Sequence, residues 1–415
     1  MKEINIGILG LGTVGIGIVQ LLKKRQAKIK NIYGVHFNLK TIAVRDVNKK
    51  RNVELPANTK LCDDDSKVID DPDIQIVIEV TGNVDGAYHA IQRAMQSGKS
   101  VITANKEMLA SHINDLNTIA KNNQVNFFYE ASVAGGIPIL RVLSESILTD
   151  SFEQVNGIIN GTSNYILSEM LTNQADYHQV LEAAQQLGYA EANPRNDVKG
   201  YDAAYKLSIL SYLIFGQFLP VSKIRLQGID QISIEDLKAA QNDGYKIKLI
   251  ANLKRKHKQL TASVVPTAIK KDEQLANVDG VQNAIQVTSD ALGRTTYTGA
   301  GAGSLPTANS VLSDLIASAN TETNGYSMAL QNDNNNDYQI IKNGGKSQYL
   351  IIIHLRDNQI NSVAKLESIQ KIKFDNISTM MTNEISYPEL QLLLKKIKNH
   401  VHPGTIVHAF PIFKS

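Results

Sequence analysis

Gly10-Leu11-Gly12-Thr13-Val14-Gly15 follows an apolar, β-branched run at residues 4–9 and opens a helix-like stretch at 16–24. A Gly-x-Gly-x-x-Gly spacing says little alone, but between a strand and a helix it points to a dinucleotide. Gly10 permits the tight turn. Gly12 has no side chain to hold the backbone off a pyrophosphate, and Gly15 lets helix and strand pack closely. The helix start at Thr13 and Val14 then offers unpaired N–H groups and a partial positive charge to the phosphates. A glycine turn with no ligand is the plainer alternative, and the surrounding pattern disfavours it.

Outward from the turn, short apolar runs at 41–44, 74–80, 101–103 and 125–129 alternate with helical patterns at 87–97 and 107–122. That alternation predicts βαβ units and a Rossmann-type, mainly parallel sheet over residues 1–130. The runs at 6–9 and 74–80 hardly alternate, as expected of strands buried on both faces. From 131 to about 305 the texture changes. Helical patterns at 138–148, 162–171, 177–187 and 200–215 mix with strands at 154–159 and 260–265, which reads as an α+β substrate domain. A helix around 305–320 is expected to pack back on the first domain. Residues 320–347 carry the polar run 331–337 and read as a linker. A small α+β unit at 348–415 follows, with strands at 349–355 and 405–410 and a helix at 388–399. The fold class is therefore α/β.

Composition narrows the setting. The chain has 415 residues, 20% of them charged, and a net charge of +3, which implies no particular partner. Lys and Arg are scattered, without the aromatic interleaving of a nucleic-acid surface. A single cysteine, Cys62, excludes an internal disulfide framework and suits a reducing compartment. No apolar run reaches membrane-span length, and the N-terminus leads straight into a strand, so the expected place is the cytoplasm, with no membrane or nucleic-acid partner.

Cofactor choice rests on the end of the second strand, where an acid favours NAD and an arginine NADP. The sequence there is Ala43-Val44-Arg45-Asp46, followed by Lys49-Lys50-Arg51. Arg45 favours NADP, and Asp46 leaves NAD open. The basic run reads at least as readily as a solvated loop as a phosphate contact.

Two further stretches carry chemistry. Glu191, Asp197, Asp202 and Lys206 fall within residues 188–206. Asp202 and Lys206 are four apart and share a helix face. Spacing alone favours an ordinary surface ion pair. The apolar continuation through Phe215 and the nearby carboxylates turn the reading toward a site for a substrate bearing an ammonium group. A lysine there can exchange a proton with an oxygen during hydride transfer. Lys106, in Ile102-Thr103-Ala104-Asn105-Lys106, falls at the carboxyl edge of the sheet, where ligands bind.

Together these stretches resemble the homoserine dehydrogenases over almost the whole chain. The matching segments are 10–15, 101–106, 130–138, 160–167, 188–206 and 299–307. The resemblance implies NAD(P)H-dependent, reversible reduction of L-aspartate 4-semialdehyde to L-homoserine in threonine and methionine synthesis. It assigns Lys206 as proton donor, with Lys106 assisting beside nicotinamide and substrate. Glu191, Asp202 and Thr162 would hold the substrate and Asp197 order the site, while Gly188 and Gly303 would touch the cofactor. The segment 130–137 resembles the family's sodium loop, with a carboxylate from Glu130 and carbonyls from Val133, Gly135 and Ile137, an oxygen set suited to a hard cation. A homodimer or higher homo-oligomer is expected. Two departures, Asn193 and the Gly299-Ala300-Gly301 segment, remove no reactive group. The terminal unit resembles an ACT domain loosely, since residues 357–361 lack the usual Pro-Gly. No kinase-like extension precedes the turn, so the monofunctional form is expected.

Two other readings fit the residues less well. Acyl chemistry needs a cysteine nucleophile, and Cys62 precedes Asp63-Asp64-Asp65, whose charge disfavours a thiolate. A non-catalytic NAD(P)-sensing regulatory protein would have no use for the lysine pair.

Overall fold

The computed structural model describes residues 1–320, 325–326, 338–354, 369–373 and 377–414. Its first layer is a six-stranded parallel sheet in the order β3-β2-β1-β4-β5-β6. The strands are β1 (Lys2–Leu9), β2 (Val35–Ala43), β3 (Lys60–Cys62), β4 (Ile76–Glu79), β5 (Ser100–Thr103) and β6 (Phe127–Phe128). Helices α1 (Thr13–Tyr33), α2 (Ser66–Ile69), α3 (Val84–Gln96) and α4 (Lys106–Asn122) connect them. Ile6 and Ile8 on β1 and Val77 and Ile78 on β4 are wholly buried, which is why neither run alternates. Strand order reverses between β1 and β4, so a crevice opens at their carboxyl ends.

Two elements run longer than the sequence pattern suggests. Strand β2 starts at Val35 because its first half alternates, with Val35, Phe37 and Leu39 buried and His36, Asn38 and Lys40 partly exposed. Helix α1 continues past residue 24 through Lys- and Arg-rich turns of good helix formers. It stops at Gly34, whose left-handed φ of 69° directs its N–H back to the Lys30 carbonyl.

The second layer is a seven-stranded mixed sheet, β12-β11-β7-β9-β10-β13 with β8 beside β10. It comprises β7 (Phe152–Ile158), β8 (Arg225–Leu226), β9 (Tyr245–Lys256), β10 (Gln259–Lys270), β11 (Gln282–Ser289), β12 (Gly293–Ala300) and β13 (Gln339–Ile340). Around it lie α5 (Ile139–Arg141), α6 (Gly161–Asn173), α7 (Tyr177–Gln186), α8 (Arg195–Val198), α9 (Tyr201–Phe215) and α10 (Ile234–Asn242). Helix α5 runs on as a π-helical turn over Val142–Ser146. Helix α11 (Ser304–Asn320) lies along α1. A side chain at Gly17 would meet the Ser304 carbonyl at 2.5 Å, so the bare backbone there sets that approach.

The stretch 320–347 is partly tied into both layers. Gly325 bridges Phe127, Tyr326 is buried, and Gln339–Ile340 pairs in parallel with the start of β10. The run 331–337 lies outside the described residues. A third sheet, β16-β17-β15-β19, forms the C-terminal unit from β15 (Tyr349–His354), β16 (Ile369–Lys373), β17 (Ile377–Thr382) and β19 (Val407–Pro411). Beside it are the small pair β14 (Lys346–Ser347) and β18 (Ile385–Ser386) and helix α12 (Tyr387–His400), started by a Ser386/Glu389 capping box. The unit docks on the substrate domain through Phe413 N–H to the Ala268 carbonyl at 2.8 Å and the Arg225 guanidinium over the Tyr387 ring at 3.9 Å. Residues 357–361 lie outside the described residues. Among the described residues no helix is long and apolar enough to cross a membrane.

Candidate active site

The glycine turn stands between two cavities. One, of about 630 Å³, is lined by Gly10 and Gly12, the loop after β2 with Arg45, and the end of β4. The other, of about 530 Å³, is lined by Thr13, Val14, Lys106, Thr162, Gly188, Asp197, Asp202, Lys206 and Gly303. Gly10 holds φ 101°, and a side chain on Gly15 would lie 2.4 Å from the Gly10 carbonyl, so both positions require glycine for the turn to close. Nothing lies within 4 Å of where a Gly12 side chain would stand, which leaves that backbone open to a ligand.

The second cavity holds the reactive groups. Asp202 and Lys206 lie on the first turns of α9 with side chains only 7% and 9% exposed, which removes the surface-ion-pair reading. Lys206 Nζ donates to Asp202 Oδ2 at 2.7 Å and to the Ile159 carbonyl at 2.6 Å. An ammonium has three N–H bonds, so one remains for a group in the cavity. Lys106, at the start of α4, reaches Asp202 Oδ1 at 3.1 Å from the opposite wall. Thus one buried carboxylate sits between two lysines that belong to different layers.

Asn160 completes the cluster. Its Nδ2 donates to Asp197 Oδ1 at 2.7 Å and Asp202 Oδ2 at 2.8 Å, while its Oδ1 caps α6 by accepting from Ser163 N–H at 2.8 Å. Nothing in the sequence around Asn160 marks it as part of a reactive site. An Asn before a helix is legible as a cap, but the two carboxylates it joins are far along the chain.

The electrostatics follow from burial. Burial pushes Asp202 up, yet the Lys206 and Lys106 ammonium groups and Asn160 hold its carboxyl below the usual range. Burial pulls Lys206 below its ordinary 10.5, with Asp202 opposing and Lys106 adding to the drop. Lys106 is raised by Asp202. Burial and then the Asp202 charge raise Asp197. Two lysines in one site are thereby driven in opposite directions, which suits one for moving a proton and the other for keeping its charge.

Other expected residues land differently. Thr162 lines the cavity, but its hydroxyl donates to the Tyr189 carbonyl at 2.6 Å and so ties down the Gly188–Tyr189 turn. Glu191 is exposed and outside both cavity linings, and its carbonyl accepts from Gln185 Nε2 at 3.0 Å. Arg45 is exposed at the rim of the first cavity. Arg51 is the member of the basic run that contacts the turn. Its Nε donates to the Leu11 carbonyl at 3.3 Å, and its Nη atoms donate to the Lys49 and Asp46 carbonyls at 2.8 and 2.9 Å. Cys62 is on β3, separated from β5 by three strands, and lines neither cavity.

The 130–137 loop tests the sodium reading. Ala134 and Gly135 are consecutive left-handed residues, which sharply turn the chain. The Gly135 and Ile137 carbonyls each accept one donor, Ser310 Oγ at 2.6 Å and Ile139 N–H at 2.8 Å. A carbonyl has a second lone pair, so these oxygens and that of Val133 fit a hard cation. The Glu130 carboxylate is already held by three donors. Its oxygens accept Leu140 N–H at 2.8 Å, Arg141 N–H at 2.9 Å and the Tyr326 hydroxyl at 3.2 Å. Burial and then the Asp314 charge raise Glu130 to about 8.

Glu79 belongs to none of the motifs above. It is wholly buried at the end of β4 and accepts from Thr81 N–H at 2.7 Å, Thr81 Oγ at 2.7 Å and Thr103 Oγ at 2.6 Å, and burial raises it. It thereby joins the loop after β4, which lines the first cavity, to the loop that presents Lys106. The signal was present as a lone acid ending a wholly apolar strand. Glu79→Ala orphans three donors at about 1–3 kcal/mol each where they stay dry. It is expected to lower Tm and raise the KM for cofactor, read by thermal melts and steady-state rates.

This chain is similar to known proteins along its whole length. A family model described as "Homoserine dehydrogenase, NAD binding domain" matches residues 10–130, and one described as "Homoserine dehydrogenase" matches 138–316. The homoserine dehydrogenase of Bacillus subtilis is 43% identical over 317 residues, 76% of this chain and 73% of that one. A homoserine dehydrogenase structure from Thiobacillus denitrificans superposes with a TM-score of 0.91 at 34% identity, covering 100% of this chain and 99% of that one. A hyperthermophilic archaeal homoserine dehydrogenase in complex with NADPH superposes with a TM-score of 0.65 at 26% identity, covering 77% of this chain and 98% of that one. A parallel-sheet dinucleotide domain facing a Lys–Asp–Lys cluster around a buried carboxylate, with both halves matched in order, leads to one assignment: the chain belongs to the homoserine dehydrogenase family.

Proposed function

We propose that the Lys106–Asp202–Lys206 cluster performs the family reaction, reduction of L-aspartate 4-semialdehyde to L-homoserine by a nicotinamide cofactor, and the reverse. The observation that carries this reading is Lys206, buried and short of one hydrogen-bond acceptor, facing the cavity beside the glycine turn. When bound, the nicotinamide would supply a hydride to the aldehyde carbon. Lys206 gives the proton to the oxygen and Lys106 stays charged beside it, while Asp202 and Asp197 face the substrate's ammonium group. Glu191, on the exposed turn before α8, would have to swing inward to join them, and Thr162 acts by holding the Gly188–Tyr189 turn. Consumption of NADPH only in the presence of the semialdehyde, and its formation with homoserine, tests the reading. Turnover with neither substrate would support a sensing role instead.

The pH dependence follows in sign from Lys206. Reduction needs the protonated amine, so its kcat falls as pH rises through a lysine pKa that lies below 10.5. Oxidation needs the neutral amine, so its kcat rises over the same window. Profiles of kcat in both directions check this.

NADP is the proposed cofactor, with the 2′-phosphate at Arg45 on the cavity rim, and Arg51 and Lys49 close by. Arg45→Ala is expected to raise the KM for NADPH about tenfold, the size of one charge-assisted hydrogen bond, and leave that for NADH nearly unchanged. A sodium ion is proposed at the Val133, Gly135 and Ile137 carbonyls, with Glu130 bracing the loop. An ACT-like role of the C-terminal unit, regulation by threonine, and a homodimer are carried as proposals, tested by rates with and without threonine and by light scattering. Domain limits near residues 130 and 305 are likewise proposed.

A further inference from the structure

Helix α10 of the substrate domain carries Asp236, a carboxylate with no exposed surface. Ser233 N–H and Ser233 Oγ donate to its Oδ2 at 2.9 and 3.0 Å, which fixes the group at the helix start. From the C-terminal unit two imidazoles converge on it. His408 on β19 pairs across the sheet with Ile352, and His354 is two residues beyond Ile352 on β15, so both rings stand on the face turned to α10. His354 Nε2 lies 2.9 Å from Oδ1 and His408 Nδ1 lies 2.8 Å from Oδ2. All three candidate ligand atoms fall within 4.8 Å of one another.

We propose that Asp236, His354 and His408 bind one divalent transition-metal ion of the zinc class, which clamps the C-terminal unit to the substrate domain. The donor set is two imidazoles and a carboxylate, the ligand types such ions prefer. Tetrahedral bonds of about 2.0–2.1 Å separate neighbouring ligand atoms by roughly 3.3 Å, within the 4.8 Å that already encloses all three groups. Each carboxylate oxygen already faces one imidazole. The outer support a metal-bound carboxylate needs is in place, because Ser233 supplies both of its donors. The side chains of His354 and His408 are 19% and 22% exposed, which gives an ion a path in and leaves a fourth position for water. None of the three residues lines either cavity of the active site, so the ion acts on docking and not on the reacting atoms. The competing arrangement is a metal-free latch in which both imidazoles simply donate to Asp236.

Glutamine separates the two. A glutamine amide can still donate to Asp236 but does not replace an imidazole ligand. The full chain, stripped with a chelator, is titrated with Co²⁺ while its visible d–d bands are followed, and with Zn²⁺ by calorimetry. One equivalent per chain, tetrahedral Co²⁺ bands and a higher Tm with metal are expected. His354→Gln and His408→Gln, each checked for a cooperative melt, are expected to weaken binding at least about tenfold. Absence of a one-equivalent site, or a site untouched by both substitutions, overturns the proposal and leaves the latch.

Discussion

Lys206→Ala is expected to lower kcat for NADPH-dependent reduction of L-aspartate 4-semialdehyde by about 10²–10⁴-fold, the usual worth of a positioned general acid. The substitution takes away the N–H that neither Asp202 nor the Ile159 carbonyl uses. It leaves the turn at Gly10–Gly15 and the first cavity intact, so NADPH binding followed by fluorescence is expected to stay within a few-fold. Asp202 keeps Lys106 at 3.1 Å and Asn160 at 2.8 Å, so the fold is expected to survive and a melt checks it. Turnover near that of the unaltered chain would remove Lys206 from the mechanism. Lys206→Arg is not expected to rescue, since a planar fork does not replace a compact ammonium between two acceptors.

Asp202→Asn is expected to damage both affinity and rate. The change is nearly isosteric, so what it removes is the charge held between two ammonium groups. Lys206, buried, would lose the partner that opposes its downward shift, while burial and the Lys106 charge continue to act. The alkaline fall of the reductive kcat is therefore expected to move to lower pH. The KM for homoserine is expected to rise, because a carboxylate facing its ammonium is gone. Breaking a buried pair at one end costs about 3–5 kcal/mol in general. Here the cost is read as a lower Tm that a purely electrostatic role in substrate binding would not produce. An unmoved pH profile with only a weakened KM would reduce Asp202 to a binding group.

Much of this site was legible in one dimension because its parts are local. The glycines, the strand before them and the helix after them occupy consecutive residues, and the Asp202–Lys206 spacing places both on one helix face whatever surrounds it. The parts that were not legible depend on packing between distant segments. Arg51 belongs to a charge run that reads as solvated, yet its guanidinium closes onto the Leu11 carbonyl. Glu130 reads as a ligand from its loop, and only the packed structure shows Leu140, Arg141 and Tyr326 donating to its oxygens. Tyr326 itself lies in a stretch that reads as linker, and the sequence around it has no periodicity to betray that it is buried.

The amino-acid sequence by itself determined the turn, the parallel α/β domain around it, the two lysines and the family to which they point. Short-range sterics and hydrophobic period suffice for the turn and the domain, and the resemblance carries the lysines and the family. The tertiary structure decided which of them act together. It brings the β5–α4 corner with Lys106 against α9, pins Asp202 and Asp197 with Asn160, leaves Glu191 outside, and seats two histidines of the last unit on Asp236. The physical reason is the enclosure of charge. A carboxylate between lysines on the surface is worth little, while one shut away from water beside a buried lysine holds its partners and shifts the proton affinities on which the proposed reaction turns. That enclosure is a property of packed layers, and no stretch of the chain contains it alone.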